Sequence, residues 1–206
     1  MTIGGDGPAD RVIAILRGSR GERLDAVCDT LLGAGLRYLE VTTNTPGWFG
    51  AVRRLAGTGA EVGVGTVRTP AQVDEAARAG ARFVVAPGTN ALVGARAAEL
   101  GLAWYPGALS PTEIEHAASL GATAVKVFPA RSLGGADYLR EVRAPLDDIP
   151  LVPTGGVRID EVAGYLAVGA VAVGLGGQLM GDALSSADPD LGALARRAEQ
   201  ALAAAS

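Results

Sequence analysis

The stretch EVGVGTVRTPAQVDEAARAGARFVVAPGTNALVGARAAELGLAWY (residues 61–105) decides the fold. Three short β-rich runs in it are separated by two segments whose apolar residues recur at helical spacing. The runs are Glu61–Gly65, Arg82–Ala86 and Leu102–Tyr105, and the segments are Pro70–Arg78 and Ala91–Glu99. Alternating strands and helices of this kind are typical of α/β proteins with a parallel sheet.

The same alternation continues on both sides of this stretch. The predicted strands are Val12–Leu16, Tyr38–Val41, Glu61–Gly65, Arg82–Ala86, Leu102–Tyr105, Ala124–Phe128, Pro150–Val152 and Ala170–Val173. The predicted helices are Glu22–Leu32, Gly47–Leu55, Pro70–Arg78, Ala91–Glu99, Pro111–Ser119, Ala136–Val142, Asp160–Val168 and Leu191–Ala204. Eight strand–helix units predict an α/β fold, a single (β/α)8 TIM barrel over residues 1–206, with an open doubly wound sheet as the alternative.

Composition narrows the class of protein. The chain has 206 residues, is 49% hydrophobic and 19% charged, and carries a net charge of −4 with both signs interspersed. These values predict one soluble domain that contacts neither nucleic acid nor membrane. The first eight residues lack the features of a signal peptide, so we expect a cytoplasmic enzyme or binding protein. The single cysteine, Cys28, is predicted to lie in a helix core, and with a single histidine no metal cluster is expected.

Lys126 is the only lysine, because the other basic side chains are all arginine. It lies in the apolar run Ala122–Ala130, which would bury it. A buried lysine can give up its proton and become a nucleophilic amine, whereas arginine keeps its proton. The sequence therefore predicts a Schiff-base lysine. The alternative is a lysine whose stem follows the barrel wall to solvent.

Catalytic residues of such barrels lie at the carboxyl ends of the strands. Arg17 and Glu40 are charged residues at the ends of the first two strands, as Lys126 is at the sixth. Glu40 could transfer protons beside the amine, and Arg17 could hold a carboxylate. Alternatively, Glu40 forms an ion pair with Arg17 or Lys126. The remaining strand-end residues are Thr42, Thr66, Pro87, Gly88, Pro106, Gly107 and Phe128.

Two glycine-rich loops follow the last two strands. They are Thr154-Gly155-Gly156 and Gly174-Leu175-Gly176-Gly177. Loops at these positions of a barrel often bind phosphate through backbone N–H groups, so we expect an anion site there. Neither loop matches a dinucleotide fingerprint or a Walker motif in the required context. His116 is expected to face solvent or the helical shell, and Trp48 and Trp104 are expected to serve packing or an interface.

Seven short stretches, in order along the chain, resemble the bacterial 2-keto-3-deoxy-6-phosphogluconate (KDPG) aldolase family. That family includes the 2-keto-3-deoxy-6-phosphogalactonate (KDPGal) and 4-hydroxy-2-oxoglutarate (KHG) aldolases. The stretches are residues 12–18 (VIAILRG), 39–42 (LEVT), 62–67 (VGVGTV), 85–88 (VAPG), 105–107 (YPG), 125–130 (VKVFPA) and 153–157 (PTGGV).

The resemblance implies a homotrimeric (β/α)8 barrel and aldol chemistry without metal or other cofactor. It implies that Lys126 forms the Schiff base and that Glu40 is the general acid and base. The substrate is then held by Arg17, Thr66, Pro87, Phe128, Thr154, Gly155, Gly156, Gly176 and Gly177. A small-molecule substrate is the implied partner.

Two departures from the family pattern bear on the substrate. Asn44 stands where the gluconate-type enzymes have an arginine, while Arg17 and the turn Asn44-Thr45-Pro46 are similar to the galactonate type. Gly177 stands where a phosphate-loop serine is common, which removes a hydroxyl donor. The expected reaction is reversible cleavage of a 2-keto-3-deoxy-6-phospho sugar acid to pyruvate and glyceraldehyde 3-phosphate. The alternatives are KHG cleavage to pyruvate and glyoxylate, a phosphosugar isomerase or epimerase without covalent chemistry, and a binding protein.

Overall fold

The computed structural model describes residues 3, 5 and 7–206 and shows alternating strands and helices. The strands are β1 (Val12–Leu16), β2 (Tyr38–Thr42), β3 (Glu61–Gly65), β4 (Phe83–Val85), β5 (Ala103–Tyr105), β6 (Gly107–Ala108), β7 (Val125–Val127), β8 (Leu151–Pro153) and β9 (Val173–Leu175). The α-helices are α1 (Leu24–Gly33), α2 (Trp48–Leu55), α3 (Pro70–Ala79), α4 (Ala91–Glu99), α5 (Pro111–Ser119), α6 (Gly135–Arg143), α7 (Val162–Ala167), α8 (Gly177–Met180) and α9 (Leu191–Ala204).

The strands pair in parallel, which confirms the predicted α/β class with a parallel, curled sheet. They form a six-stranded sheet in the order β5-β4-β3-β2-β1-β9 and a three-stranded sheet in the order β6-β7-β8. The prediction was one continuous barrel sheet. The predicted fifth strand is instead followed, after Pro106, by the separate strand β6, because proline has no N–H to donate to a ladder.

The last unit differs most from its prediction. Strand β9 begins at Val173 and not at Ala170, because the backbone N–H of Ala170 donates to the Tyr165 carbonyl and completes the end of α7. The short helix α8 follows Gly176 and was not predicted. Helix α7 is shorter than predicted, because residues 159–161 form a 3-10 turn.

Two features of the helices agree with the sequence. Thr69 and Ser110 cap α3 and α5, and each belongs to a complete capping box with Gln72 and Glu113 respectively. Cys28 is fully buried in α1, where burial raises the pKa of its thiol to about 12. The predicted core role of this cysteine is therefore confirmed.

The core consists of two clusters of buried side chains. The larger cluster includes residues of both strands and helices. The smaller one consists mainly of strand residues, among them Ile13, Tyr38, Phe83, Tyr105 and Val152. Because successive residues of a strand face opposite sides, this second set shares the concave face of the curled sheet with Glu40 and Lys126.

Within the described residues, no helix combines the length and apolar character that crossing a bilayer requires. The prediction about a signal peptide concerns the first eight residues, of which residues 1, 2, 4 and 6 lie outside the described part.

Candidate active site

A cavity of about 340 Å³ lies at the carboxyl ends of β1, β7, β8 and β9. It brings together most of the predicted site residues. Its walls are Ile15, Arg17, Lys126, Phe128, Thr154, Gly155, Gly156, Val157, Gly176, Gly177 and Gln178. The carboxyl ends of these strands thus bring a lysine, an arginine and both glycine loops to one cavity.

Lys126 occupies the middle of β7 and points into this cavity. Its backbone N–H donates to the Pro106 carbonyl at 2.8 Å, and its neighbours in the ladder are Gly107 and Val152. The residue is only 6% exposed, and its Nζ lies 5.3 Å from the centre of the Phe128 ring. The side chain therefore does not reach bulk solvent, which argues against the alternative of a lysine whose stem runs along the strands to solvent.

Glu40 lies in β2 and is 2% exposed. Burial raises the pKa of its carboxyl above the ordinary value of 4.5, while the nearby charges of Lys126 and Arg17 oppose this shift. Its Oε1 has no hydrogen-bond partner among the described residues. Nor does any described ion pair join Glu40 to Arg17 or Lys126, so the ion-pair alternative is not supported.

Arg17 follows β1 and is positioned by Thr66. Its Nη2 donates to Thr66 Oγ1 at 3.0 Å. Thr66 has a φ of +63°, a left-handed conformation that costs energy for a residue with a Cβ. The Thr43 hydroxyl donates to the Thr66 carbonyl at 3.2 Å and supports this conformation. Thr66 is not among the residues that line the cavity, but it orients the Arg17 guanidinium.

The two glycine loops form a further part of the cavity wall. Gly155 and Gly156 have φ values of +96° and +74°, so two consecutive residues adopt the left-handed region that glycine favours. A Cβ on Gly155 would stand 2.7 Å from the Phe128 ring. The loop therefore depends on glycine for conformation and for space. Backbone N–H groups in such concave turns are suited to anions.

Pro87 does not line the cavity that contains Lys126. It lines a neighbouring cavity of about 380 Å³, and the two cavities share Phe128. His116 is exposed on α5, as predicted, and also borders this second cavity.

Trp104 is buried, while Trp48 is partly buried and packs against Phe49 with ring centres 5.6 Å apart.

Sequence reasoning missed two residues that shape the site. Gln178 lines the cavity from the first turn of α8. Its position directly after the second glycine loop could have indicated this. Gly65 was treated only as part of a strand, yet a Cβ there would overlap the Glu40 carboxylate. Among the described residues, no three His, Cys, Asp or Glu side chains are grouped as a metal site requires.

Comparison with known proteins agrees with this geometry. The family model for KDPG and KHG aldolase matches residues 8–195. The probable 2-dehydro-3-deoxy-6-phosphogalactonate aldolase of Rhizobium meliloti (strain 1021) is 36% identical over 186 residues, covering 88% of this chain and 87% of that protein. The 2-dehydro-3-deoxy-phosphogluconate aldolase of Treponema pallidum (strain Nichols) is 36% identical over 194 residues, covering 93% and 92%.

Solved structures give the same result. The native KDPGal structure superposes with a TM-score of 0.87 at 31% identity and covers 99% of this chain and 97% of its own. A KDPG aldolase from Legionella pneumophila, with pyruvate captured as a covalent carbinolamine intermediate, has a TM-score of 0.78 at 25% identity, with 96% of each chain covered.

Fold, site and matches together define the class of protein as an aldolase, a carbon–carbon lyase. More narrowly, the chain belongs to the KDPG and KHG aldolase family.

Proposed function

We propose that this chain is a class I aldolase that reversibly cleaves a 2-keto-3-deoxy-6-phospho sugar acid, KDPG or KDPGal, to pyruvate and glyceraldehyde 3-phosphate. One observation carries the proposal: the single lysine is buried at the cavity, close to the buried carboxyl of Glu40. The covalent pyruvate carbinolamine of the Legionella pneumophila enzyme supports the same chemistry for a related protein.

The first half of the reaction forms the imine. The neutral amine of Lys126 attacks the C2 carbonyl and gives a carbinolamine. Glu40 donates a proton to the departing hydroxyl, so that water leaves and a cationic imine remains. Its raised pKa suits this role, because a protonated carboxyl is available closer to neutral pH. Arg17 binds the substrate carboxylate and fixes the carbonyl beside Lys126.

The second half breaks the C3–C4 bond. The iminium withdraws electrons from C3, and the Glu40 carboxylate removes the proton of the C4 hydroxyl through a water molecule. The C3–C4 electron pair then forms an enamine and the aldehyde leaves. Protonation of C3 and hydrolysis of the imine release pyruvate and restore Lys126. Glu40 Oε1, which has no hydrogen-bond partner within the described part of the chain, can accept the hydrogen bond from such a water.

The phosphate is assigned to the glycine loops at the far end of the cavity. Gly155, Gly156, Gly176 and Gly177 offer backbone N–H groups without side chains in the way. Phe128 packs between this end and Lys126, which supports a roughly linear substrate held at both ends. Thr154 is buried at the start of the loop and lines the same wall. Pro87 does not line this cavity. Its assignment to the substrate rests on the neighbouring cavity, which shares Phe128 with this one.

A second candidate substrate is 4-hydroxy-2-oxoglutarate, which yields pyruvate and glyoxylate. One observation favours it: Arg17 and Lys126 are the cationic side chains among the residues that line the cavity, and neither belongs to a glycine loop. An end that offers amides without a cationic side chain binds a phosphate dianion less tightly than one with arginine. Initial rates with KDPG, KDPGal and 4-hydroxy-2-oxoglutarate, compared as kcat/KM, decide between these substrates.

Trapping with borohydride tests the mechanism. Incubation with pyruvate and sodium borohydride should reduce the imine and leave a stable adduct on Lys126, identified by peptide mass spectrometry. Lys126→Arg is the control, because it keeps the charge and lacks a nucleophilic amine. Since the chain has one lysine, any adduct in that variant would come from the terminal amine. Absence of the adduct in the unmodified protein would refute the class I mechanism.

The rival isomerase or epimerase has no support from the family. It predicts interconversion of phosphosugars without an adduct, so the same trapping experiment separates it from the aldolase. A protein that only binds phosphorylated acids would likewise give no adduct and no pyruvate.

The complete (β/α)8 barrel is also part of the proposal. Two contacts support closure of the two sheets into one barrel. Thr154 and Gly174 form a parallel bridge between the β8 and β9 edges, and the Val171 N–H donates to the Leu151 carbonyl at 3.0 Å. On the other side only Pro106 separates β5 from β6. A crystal structure tests whether the eight units close.

A homotrimer and a cytoplasmic location stay predictions. The exposed apolar side chains of Leu92 (68% exposed) and Phe49 favour burial against further copies of the chain. Light scattering should give about three times the 20.7 kDa of one chain. Fluorescent tagging in the source cell tests the location.

A further inference from the structure

A second polar cavity lies at the opposite end of the sheet from Lys126. It measures about 360 Å³ and opens at the amino-terminal starts of β2 to β5. The aldolase reaction makes no use of it. Its walls combine one carboxylate, that of Glu61, with three aromatic rings and the apolar side chains of Leu100 and Leu102.

Glu61 is a buried carboxylate on the concave face of the sheet. It is the first residue of β3 and lies on the same face of the strand as Gly63 and Gly65. A Cβ on Gly63 would meet Phe83, and a Cβ on Gly65 would meet Glu40. Glu61 is 5% exposed. Its ion-pair partner in the described chain is Arg82, whose Nε lies 3.7 Å away, beyond hydrogen-bond length, on a side chain 58% exposed. A buried carboxylate with so weak a partner favours a further cation.

Aromatic rings form the wall beside this carboxylate. Phe83 packs against Tyr38 and Tyr105, with ring centres 6.2 and 5.4 Å apart. Burial, with a contribution from the charge of Glu61, raises the pKa of both tyrosine hydroxyls, so both are protonated at neutral pH. Aromatic faces attract cations, and the two neutral phenol oxygens can accept hydrogen bonds from one.

We propose that this cavity binds a primary alkylammonium ion. The ammonium group contacts the Glu61 carboxylate and the hydroxyls of Tyr38 and Tyr105, which together offer acceptors for its three N–H donors. The alkyl chain lies against Leu100 and Leu102. Arg82 competes for the same carboxylate, and because its side chain is already largely exposed it can turn to solvent when the ligand enters.

Other ligand classes fit the cavity less well. Anions are repelled by Glu61, and one carboxylate does not supply the several oxygen ligands that a divalent cation takes. A neutral alcohol would leave the buried charge without a cation. The chemistry therefore points to an amine that carries a proton at neutral pH.

Titration with n-butylammonium chloride tests the proposal, with n-butanol as the neutral probe of equal length. Backbone amide NMR shifts of Ala81 and of residues 100–102 should saturate with the amine and not with the alcohol. Glu61→Gln should weaken binding at least about tenfold, because it removes a charge-assisted hydrogen bond. Arg82→Gln should tighten it several-fold by removing the competing cation. Glu115→Gln, an exposed carboxylate on α5, is the matched control and should leave the affinity unchanged.

The opposite signs of the two substitutions make the test decisive. Equal shifts with n-butanol, no saturation, or unchanged affinity in both variants would overturn the proposal. Arg82 is exposed, so its variant keeps the test valid even if Glu61→Gln fails to fold. Initial rates of keto-acid cleavage should stay unchanged with n-butylammonium present, since the two sites lie at opposite ends of the strands. Competitive inhibition of cleavage would show binding at the active site instead and would also overturn the proposal.

Discussion

The carboxyl group of Glu40 occupies space that exists only because residue 65 is glycine. A Cβ on Gly65 would stand 1.9 Å from Glu40 Oε1. The two residues lie on neighbouring strands, with Glu40 paired to Gly63 and Thr42 paired to Gly65. Gly65 does not have a positive φ, so the requirement concerns space and not backbone conformation.

Gly65→Ala should displace the Glu40 carboxyl and lower kcat about 100-fold, because a misplacement of about 1 Å at a catalytic group costs roughly that factor. The methyl group should also cost about 1–3 kcal/mol in the free energy of unfolding, as overpacking does. Steady-state rates and urea unfolding measure the two effects. Pyruvate should still be trapped on Lys126, because the amine is unchanged.

Gly50→Ala is the matched control for this substitution. A Cβ on Gly50 meets no atom within 4 Å, and the residue lies inside α2. It should leave kcat unchanged and stabilise the protein slightly, because alanine favours a helix. Wild-type kcat in Gly65→Ala would show that Glu40 tolerates displacement and would contradict its assigned role.

The raised pKa of Glu40 predicts the acidic limb of the pH–rate profile. Cleavage needs the carboxylate to take the C4 proton, so kcat/KM should rise with pH through an apparent pKa above 4.5. Glu40→Gln should give a low rate without that limb. Stopped or coupled assays from pH 4 to 8 measure it. A limb centred at or below 4.5 would contradict the effect of burial.

The raised pKa of Glu40 makes the folded protein less stable as pH rises, whereas the lowered pKa of an acid in a salt bridge makes it more stable. Below pH 4.5 the carboxyl is protonated in both folded and unfolded chains, so its burial adds no pH-dependent cost. As pH rises towards the folded-state pKa, the unfolded chain loses the proton first, and stability falls by about 1.4 kcal/mol per pH unit. Glu40→Gln should therefore exceed the wild type in stability at pH 7 and match it near pH 4, measured by urea unfolding.

Much of this site could be predicted, because parallel strands bring their carboxyl ends together. Arg17, Lys126 and both glycine loops needed only the strand order and chemically unusual residues at strand ends. Gly65 and Gln178 could not be found in this way. Gly65 matters because it has no side chain where the Glu40 carboxyl of the neighbouring strand lies. Gln178 lies in a helix of four residues, which is too short to show a helical sequence pattern.

In the fold, too, the features set by local sequence could be predicted and those set by distant strands could not. Helices with caps, such as α3 and α5, were predicted within one or two residues because their start signals are local. The interruption at Pro106 depends on the neighbouring strands, since β5 pairs with β4 while β6 pairs with β7. Such pairing is a property of the assembled sheet and is absent from any short stretch of sequence.

Thr66 combines strained backbone with a useful hydroxyl. Thr66→Gly should relieve the left-handed conformation and stabilise the fold by about 1 kcal/mol, while it removes the acceptor for Arg17. Because Arg17 is then less well oriented, KM for the keto acid should rise about five- to tenfold. Thermal unfolding and Michaelis kinetics measure the two effects.

Thr66→Ser separates the two effects, because it keeps both the hydroxyl and the Cβ. It should show the wild-type KM and no stabilisation. If Thr66→Gly also kept the wild-type KM, the hydrogen bond to Arg17 would have no part in substrate binding.

Gly177→Ser tests whether the far end of the cavity binds a phosphate. A Cβ on Gly177 meets no atom within 4 Å, and its φ lies outside the positive region, so serine fits without strain. Its hydroxyl adds one donor to a loop that otherwise offers backbone amides, and a hydrogen bond to a charged group contributes about 1.5–3 kcal/mol. For a substrate that carries its phosphate there, KM should fall about tenfold or more. For 4-hydroxy-2-oxoglutarate it should stay the same, because that shorter acid has no phosphate to accept the bond. An equal change in KM for both substrates, measured by initial rates, would show that the loops do not bind phosphate.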